Sequence, residues 1–145
     1  MNEIKVKLIR EGAILPTYGT QDAAGADLYA CLEYPVEVQP GENVFVPTGI
    51  SMEIPHGFAG LVYARSGMAC KRNLAPANKV GVIDSDYRGE IMVVLHNHGS
   101  EAQTVCPGER IAQLVITPVY TPGFQICDDL TDTARSGGGF GSTGK

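Results

Sequence analysis

The sequence predicts an all-β domain built from many short strands. Eighteen glycines and nine prolines interrupt the 145-residue chain every few residues, and stretches rich in Val, Ile, Leu and Tyr lie between them. Apolar residues make up 43% of the chain and charged residues 19%, which favours a folded domain over disorder. Short strands separated by turn residues at this spacing are typical of a sandwich, a jelly roll or a barrel.

Eight segments have the composition expected of strands. The first, residues 4–8, alternates apolar and charged side chains as a half-buried strand does. The others are residues 36–38, 43–47, 50–54, 60–64, 81–83, 90–97 and 111–118. Turn sequences with Gly, Pro or Asn separate several of them, at residues 39–41, 55–57, 97–99 and 106–108. One short helical turn is predicted at residues 66–71.

Charge, hydropathy and cysteine spacing exclude several classes of protein. The net charge of −5 argues against a general nucleic-acid binder. No apolar run approaches the roughly 20 residues that cross a bilayer, and the first residues do not resemble a signal peptide. The four cysteines are far apart and form no pair spaced to bind zinc. We therefore expect a cytoplasmic protein with four free thiols, no membrane partner and no direct nucleic-acid binding.

The segment GVIDSDYRGEI, residues 81–91, is the most informative part of the chain. One interpretation is a hairpin in which the Asp and Gly residues only make the turn. The other is a hairpin whose fixed backbone N–H and C=O groups bind the edge of a base. The segment alone does not decide between the two interpretations.

Three other short patterns are each weak alone. Arg-Ser-Gly at residues 65–67 follows a strand and begins the helical turn. That arrangement suits anion binding. The alternative, and the commoner explanation of such a short pattern, is a Ser that caps the helix beside a surface Arg. In GERIAQ, residues 108–113, Glu109 and Arg110 could pair on the surface, whereas Gln113 inside a strand needs partners. AGADL, residues 24–28, is interpreted as a small-residue turn before a strand.

From residue 128 to residue 145 apolar residues are sparse and glycine dominates. The two interpretations are a disordered tail and a flexible arm that presents one aromatic residue. The last seven residues fit G-x-x-x-x-G-K, but a phosphate-binding loop needs a preceding strand and a following helix, and the sequence ends at that Lys. His96 and His98 stand where a strand turns, and no third metal ligand is nearby, so turn histidines are favoured over a metal site.

Taken together and in this order, five motifs resemble the trimeric dUTPase family. They are residues 24–28, 65–67, 81–89, 108–113 and the arm from 135 to 144, which contains GGFGSTG. The departures are Ala64, Met68 and Ser136, where Pro, Leu and Gly are usual in the family. The resemblance implies a distorted jelly roll, with a catalytic domain at residues 1–127 and an arm at 128–145. It also implies a homotrimer whose sites each draw the third motif from one chain, the first, second and fourth from another, and the arm from the third.

The resemblance further implies hydrolysis of dUTP to dUMP and pyrophosphate, which keeps uracil out of DNA and supplies dUMP for dTMP synthesis. Asp84 resembles the base that activates the attacking water, and Asp27 resembles a residue that meets a hydrated Mg²⁺ through water. The catalytic residues it implies are Asp84, Arg65, Gln113 and Arg135. The substrate-binding residues are Arg65, Ser66, Gly67, Asn78, Gly81, Val82, Ile83, Asp84, Tyr87, Gln113, Arg135, Phe140, Gly141, Ser142 and Thr143. In detail, Asn78 and the backbone near Gly81 and Ile83 would bind uracil, Tyr87 would exclude a 2′-hydroxyl, and Phe140 would stack on the base.

Two rival functions are less favoured by the residues present. A dCTP deaminase shares the fold, but its Arg-Ser-Ser pattern differs from the Arg-Ser-Gly at residues 65–67. A non-catalytic regulator of the same fold would be expected to lack the base or the arm, and this chain has Asp84, Arg135 and Phe140. Hydrolysis is therefore favoured over both.

Overall fold

The computed structural model describes residues 3–144, and in that range it contains twelve strands and one short helix. In chain order they are β1 (Lys5–Leu8), β2 (Thr17–Tyr18), β3 (Ala26–Tyr29), β4 (Val36–Val38), β5 (Asn43–Pro47), β6 (Ile50–Glu53), β7 (Phe58–Tyr63), α1 (Ser66–Arg72), β8 (Leu74–Pro76), β9 (Gly81–Ile83), β10 (Met92–Asn97), β11 (Gln103–Val105) and β12 (Arg110–Pro118). The predicted all-β class is confirmed. Over residues 3–144, no helix has the length and hydropathy needed to span a membrane.

All eight predicted strands are present, with ends that differ by up to two residues. Four strands were not predicted: β2, β3, β8 and β11. Each has only two to four residues, too short for a period-two pattern to identify it, so tertiary pairing defines it as a strand. The helix begins at Ser66 as expected and runs one residue further, to Arg72.

The strands form four antiparallel sheets around one core. The largest has the order β2-β3-β12-β7-β9, and a three-stranded sheet has the order β5-β10-β8. Two further pairs, β1-β6 and β11-β4, complete the strands. The core is aliphatic, and its fully buried large side chains include Leu28, Ile50, Leu74, Leu95 and Ile111. The nine-residue β12 lies in the middle of the largest sheet, between β3 and β7.

The hairpin predicted across residues 84–89 is not formed. β9 pairs with β7, whereas β10 pairs with β5 and β8, so the two strands that flank the loop belong to different sheets. The physical reason lies just after the loop. The Ile91 N–H donates to the Ile50 carbonyl at 2.9 Å, and Thr48 Oγ1 donates to the Ile91 carbonyl at 2.6 Å, which directs the chain into the second sheet.

Asn97 is the one fully buried amide side chain in the described part of the chain, and its hydrogen bonds are satisfied. Its Nδ2 donates to the carbonyl oxygens of Val38 at 2.9 Å and Glu101 at 2.7 Å. Its Oδ1 accepts the Gly99 N–H at 2.9 Å. Asn97 therefore joins the end of β10 to β4 and to the loop before β11.

We expect Asn97→Ala to lower the free energy of unfolding by about 2–4 kcal/mol, because two carbonyls and one N–H lose their partner. Asn43→Ala is the matched control. Asn43 is exposed, and its Oδ1 contacts His96 Nδ1 at 2.7 Å, so its loss should cost less than about 1 kcal/mol. Chemical unfolding at one fixed protein concentration measures both values. Equal losses for the two variants would contradict the structural role of Asn97.

Candidate active site

Three of the five motifs meet on the largest sheet because β12 pairs with both of its neighbours. On β12, Gln113 lies opposite Asp27 of β3 and opposite Tyr63 of β7. Arg65 comes two residues after the end of β7 and immediately precedes α1. The first, second and fourth motifs are therefore brought together within one chain, as the resemblance implied. We call this group, Asp27, Arg65, Arg110 and Gln113, the arginine cluster.

Asp27 is the carboxylate at the centre of the arginine cluster. Its Oδ1 accepts a hydrogen bond from Arg65 Nε at 2.7 Å, and its Oδ2 lies 3.5 Å from Arg110 Nη1. The Asp27 side chain is only 14% exposed, whereas that of Arg110 is 53% exposed. Two guanidinium groups thus share one carboxylate, and the outer one keeps donors that can bind an anion.

Arg110 is a functional candidate that the sequence analysis missed. A surface pair with Glu109 was the alternative considered, and the structure does not form it. Arg110 reaches Asp27, while Glu109, which precedes β12, pairs with Arg72 of α1. The pairing of β12 with β3 shifts register between Arg110 and Ala112, so alternation counted back from Gln113 would have placed Arg110 on the opposite face, and no local pattern identifies it.

Gln113 fills a space that a glycine leaves open. A Cβ at Gly25 would lie 2.6 Å from Gln113 Oε1, so any larger residue there would displace the amide. Gln113 Nε2 donates to the Ala64 carbonyl at 2.8 Å. The amide is therefore held between β3 and the residue before Arg65, and the small residues of the first motif are explained by this close approach.

The start of α1 is open. Its N-cap residue is Arg65, which makes no side-chain cap, and Ser66 and Gly67 are exposed. The Ser cap considered from the sequence is therefore wrong. At the other end of the helix, Arg72 pairs with Glu109 and donates to the Thr104 carbonyl. These contacts fix the orientation of α1 against the beginning of β12.

A groove of about 330 Å³ lies between β9 and β10, where the predicted hairpin separates. It is lined by residues expected at the base and sugar, namely Asn78, Gly81, Val82, Ile83 and Tyr87, and by apolar residues of β10. β9 is an edge strand, and in residues 3–144 its outer edge pairs with no other strand. Its backbone donors and acceptors on that side can therefore pair with a flat ligand.

Two glycines shape this groove. A Cβ at Gly81 would lie 3.3 Å from Asn78 Nδ2 and 3.2 Å from Val62 Cβ, so the Asn78 amide is close to the β9 backbone. A Cβ at Gly89 would overlap the ring of Tyr87, which packs directly over that residue. The Tyr87 hydroxyl donates to the Glu90 carbonyl at 3.0 Å. The ring therefore has a defined place at the mouth of the groove.

Asp84 does not lie beside the arginine cluster of its own chain. β9 runs antiparallel to β7, with Gly81 opposite Val62 and Ile83 opposite Gly60, so it leads away from Arg65. Five residues of extended chain separate Gly60 from Arg65, which is about 16 Å. The Asp84 side chain is exposed and makes no hydrogen bond or ion pair with any described residue.

The C-terminal segment makes hydrogen bonds only within itself. Beyond Val119, whose N–H donates to the Gly57 carbonyl, no hydrogen bond links residues 120–144 to the preceding chain. Arg135 Nε donates to the Gly138 carbonyl at 2.9 Å, and Phe140 is fully exposed at a φ of 51°. Gly141, Ser142 and Thr143 are exposed as well. The structure therefore does not bring the predicted arm residues to any other site residue of the same chain.

The remaining sequence patterns have structural explanations where the structure describes them. His96 contacts Asn43 and faces no other metal ligand, and residues 3–144 contain no group of three acidic, His or Cys side chains that could hold a metal. Residues 139–144 form turns with no flanking strand or helix, so they do not have the structure of a phosphate-binding loop. Lys145 lies outside the described residues. The four cysteines are free, as predicted.

Comparisons with known proteins agree with this geometry. The family model described as dUTPase matches residues 11–144. The deoxyuridine 5′-triphosphate nucleotidohydrolase of Desulfitobacterium hafniense is 52% identical, with 99% of each chain covered. The dUTPase of Staphylococcus bacteriophage 80alpha, in a structure with dUPNHPP, superposes with a TM-score of 0.92 at 27% identity over both whole chains.

A second solved structure is that of a point mutant of the dUTPase from phage phi11 of Staphylococcus aureus, described as coordinating a structural Mg(II) ion. It superposes with a TM-score of 0.80 at 25% identity and covers 88% of this chain and 98% of its own. These similarities confirm the fold class that the resemblance implied. The chain belongs to the dUTPase family, because the family model matches nearly all of its length and a relative is 52% identical to it.

Proposed function

We propose that the protein hydrolyses dUTP to dUMP and pyrophosphate in sites shared between subunits of a homotrimer. The observation that supports this most directly is the division of the site. The end of β7 leads to guanidinium and amide donors for phosphates, and β9, paired beside β7, lines a base-sized groove and runs away from those donors to a free carboxylate. The names of the related proteins support dUTP as the substrate.

The groove between β9 and β10 would bind the nucleoside. A uracil edge alternates donors and acceptors, and the outer edge of β9 at Gly81, Val82 and Ile83 offers the same alternation from a fixed backbone. The Asn78 amide, close to Gly81, would add a side-chain partner to the base. Tyr87 at the groove mouth would pack on the deoxyribose and leave no space for a 2′-hydroxyl.

Asp84 would act as the general base. Its carboxylate has no partner among the described residues, so it is free to accept a proton from water. The water oxygen forms a bond to the α-phosphorus in line with the bridging oxygen to the β-phosphate. That P–O bond breaks, pyrophosphate leaves with the electron pair, and the proton goes to Asp84.

The arginine cluster would hold the triphosphate. Arg65 and Gln113, with Ser66 and Gly67 at the start of α1, would contact phosphate oxygens, and their donors would offset the charge that develops on the leaving group. We add Arg110, whose guanidinium is half exposed beside Asp27, to the residues proposed from the sequence. A chain with a net charge of −5 can bind this polyanion because Arg65 and Arg110 lie together at the site.

The residues present fit a magnesium ion held mainly by the substrate. Mg²⁺ usually keeps several waters and takes one or two carboxylates plus phosphates, and the described residues offer no cage of ligands for it. Asp27, engaged by two arginines, would contact a metal-bound water rather than the metal. When bound, the ion would neutralise phosphate charge.

Assembly into a trimer is proposed because the site is incomplete in one chain. Asp84 and Arg65 lie at opposite ends of β7, so a second subunit would supply the missing half. After β12 the segment 119–130 exposes five large apolar side chains, Val119, Tyr120, Phe124, Ile126 and Leu130. Exposed apolar surface of this kind marks protein–protein contact.

The arm would close the site of a neighbouring subunit. Phe140 would stack on the uracil, and Arg135, Gly141, Ser142 and Thr143 would contact the terminal phosphates. The boundary proposed at residue 127 separates the catalytic domain from this arm, although the last strand already ends at Pro118. Closing would exclude bulk water from the reacting phosphates.

We place the enzyme in the cytoplasm, where its reaction would keep uracil out of DNA and supply dUMP for dTMP synthesis. Four unpaired cysteines suit a reducing compartment. The proposed partners are dUTP, dUMP, pyrophosphate and copies of this chain.

Asp84→Asn should leave a folded trimer that still binds dUTP but turns over at least about a hundredfold more slowly, because general-base help is worth roughly 10²–10⁴-fold. Pyrophosphate release and calorimetric dUTP binding measure the two effects. The control is Asp86→Asn, an exposed carboxylate in the same loop, which should keep turnover within about twofold. Wild-type turnover in Asp84→Asn would refute the proposed base.

A chain ending at Ala134 should still assemble, because the removed residues that the structure describes are almost all exposed, and should lose most activity. Phe140→Ala should lower kcat/KM by less, about tenfold to a hundredfold, since an aromatic–base stack is worth about 1–3 kcal/mol. Phe140→Trp keeps a stacking ring and serves as the control. Light scattering and pyrophosphate release measure assembly and activity. Full activity of the truncated chain would show that residues 135–145 are only a tail.

A further inference from the structure

The carboxylate of Glu90 joins two distant parts of the chain directly behind Tyr87. Its two oxygens accept hydrogen bonds from Arg10 Nε at 2.6 Å and from Arg10 Nη2 at 2.8 Å, and Oε1 also accepts the Gly49 N–H at 2.9 Å. A paired, bidentate contact of this kind combines strength with a fixed geometry. Arg10, Gly49 and Glu90 lie outside all five motifs.

The carboxylate end of this contact is sheltered and the guanidinium end is open. The Glu90 side chain is 16% exposed and that of Arg10 51%. The hydrogen bonds from Arg10 lower the pKa of the Glu90 carboxyl below its usual value, although burial acts the other way. Glu90 is therefore ionised at neutral pH, and removal of its partner would leave a largely buried charge.

Gly49 gives the carboxylate a rigid support. Its φ of +70° suits glycine, and a Cβ there would lie 2.7 Å from Ala13 Cβ and 2.8 Å from Cys31 Sγ. The Gly49 carbonyl also accepts the Ile9 N–H at 2.8 Å, so this glycine backbone is held in place. The Ile91 N–H, next in sequence to Glu90, donates to the adjacent Ile50 carbonyl, so the point where the loop ends is held from two sides.

The Glu90 backbone is in turn hydrogen-bonded to Tyr87. The Glu90 carbonyl accepts the Tyr87 hydroxyl at 3.0 Å, and the ring lies over Gly89. The other hydrogen bonds of the loop are internal to it, such as Arg88 Nη1 to the Ser85 carbonyl at 2.7 Å. Apart from a 4.0 Å approach of Arg88 Nε to Glu53, Glu90 is the loop's link to the fold, so a shift of Glu90 would move the ring that borders the sugar side of the groove.

We propose that the Arg10–Glu90 pair is a positioning device that sets how strongly the site prefers 2′-deoxyribose to ribose. The inference rests on the proposed function, because it requires Tyr87 to lie against the sugar of a bound nucleotide. A side chain that excludes one hydroxyl by contact works only while it is held in place, since an ångström of movement opens room for that oxygen. Glu90 also borders the groove, but its carboxylate is engaged by Arg10 and the Gly49 N–H, so the pair would act on the sugar through Tyr87.

The test measures kcat/KM for dUTP and for UTP with the full-length protein. Glu90→Gln keeps the shape and one acceptor but removes the charge. Its ratio of dUTP to UTP should fall at least about fivefold, the scale of one hydrogen bond, with UTP use maintained or increased. Arg10→Lys keeps the charge and loses the bidentate geometry, so its ratio should fall less. It also tests the proposal if Glu90→Gln fails to assemble, because Arg10 is half exposed.

Glu42→Gln is the matched control. Glu42 Oε2 also accepts a backbone N–H, that of Gln39 at 2.8 Å, in a turn outside the groove. The same chemical change should leave the ratio within about twofold of wild type. A purely structural effect of losing a capped carboxylate would lower stability in both variants without changing the ratio in either.

Tyr87→Ala separates this inference from the proposed function. If Tyr87 selects the sugar, Tyr87→Ala lowers the ratio, and adding Glu90→Gln to it changes the ratio by less than about twofold, since the two act as one unit. A lowered ratio in Tyr87→Ala with an unchanged ratio in both Glu90→Gln and Arg10→Lys overturns the inference alone. Additive effects of the two substitutions also overturn it. An unchanged ratio in Tyr87→Ala removes the proposed role of Tyr87 and the inference with it.

Discussion

The antiparallel pairing of β9 with β7 is the constraint on which the rest of the site depends. It places Gly81 beside Val62 and Ile83 beside Gly60, so the chain that carries Asp84 runs away from Arg65. The proposed phosphate donors and the proposed base are therefore separated on one subunit by the length of a strand. The same pairing leaves the outer edge of β9 unpaired in residues 3–144 and opens the groove toward β10.

Close packing around β12 holds the proposed phosphate side of the site in place. Gln113 fits over Gly25, Asp27 receives two arginines, and Arg72 holds α1 against Glu109. The second half of the site depends on a different set of contacts, in which Glu90 and Ile91 attach the loop to the turn at residues 48–50. Each half is fixed by its own part of the core, so the two can meet across an interface without reorganising either.

The residue pattern predicted strands that alternate apolar and polar side chains or are strongly apolar, such as residues 43–47 and 81–83. It missed strands that are defined only by their partners. Residues 74–76 form a strand because β10 lies beside them, which no local pattern reveals. The segment at 81–91 indicated the loop correctly. The hairpin was wrong because Ile91 hydrogen-bonds to Thr48 and Ile50, which are distant in sequence and adjacent only in the fold. Arg110 was missed for the same reason, since its partner Asp27 is on another strand.

The shared site is tested most directly by mixing two inactive variants. Asp84→Asn and Arg65→Ala are unfolded together in equal amounts, refolded, and assayed for pyrophosphate release from dUTP. If Asp84 and Arg65 of a site come from different subunits, about a quarter of the sites in the random mixture regain both residues, because each subunit position is filled independently. The account predicts recovery of that size from two nearly inactive parents. Activity no greater than the average of the parents, in a mixture shown to contain mixed trimers, would contradict it.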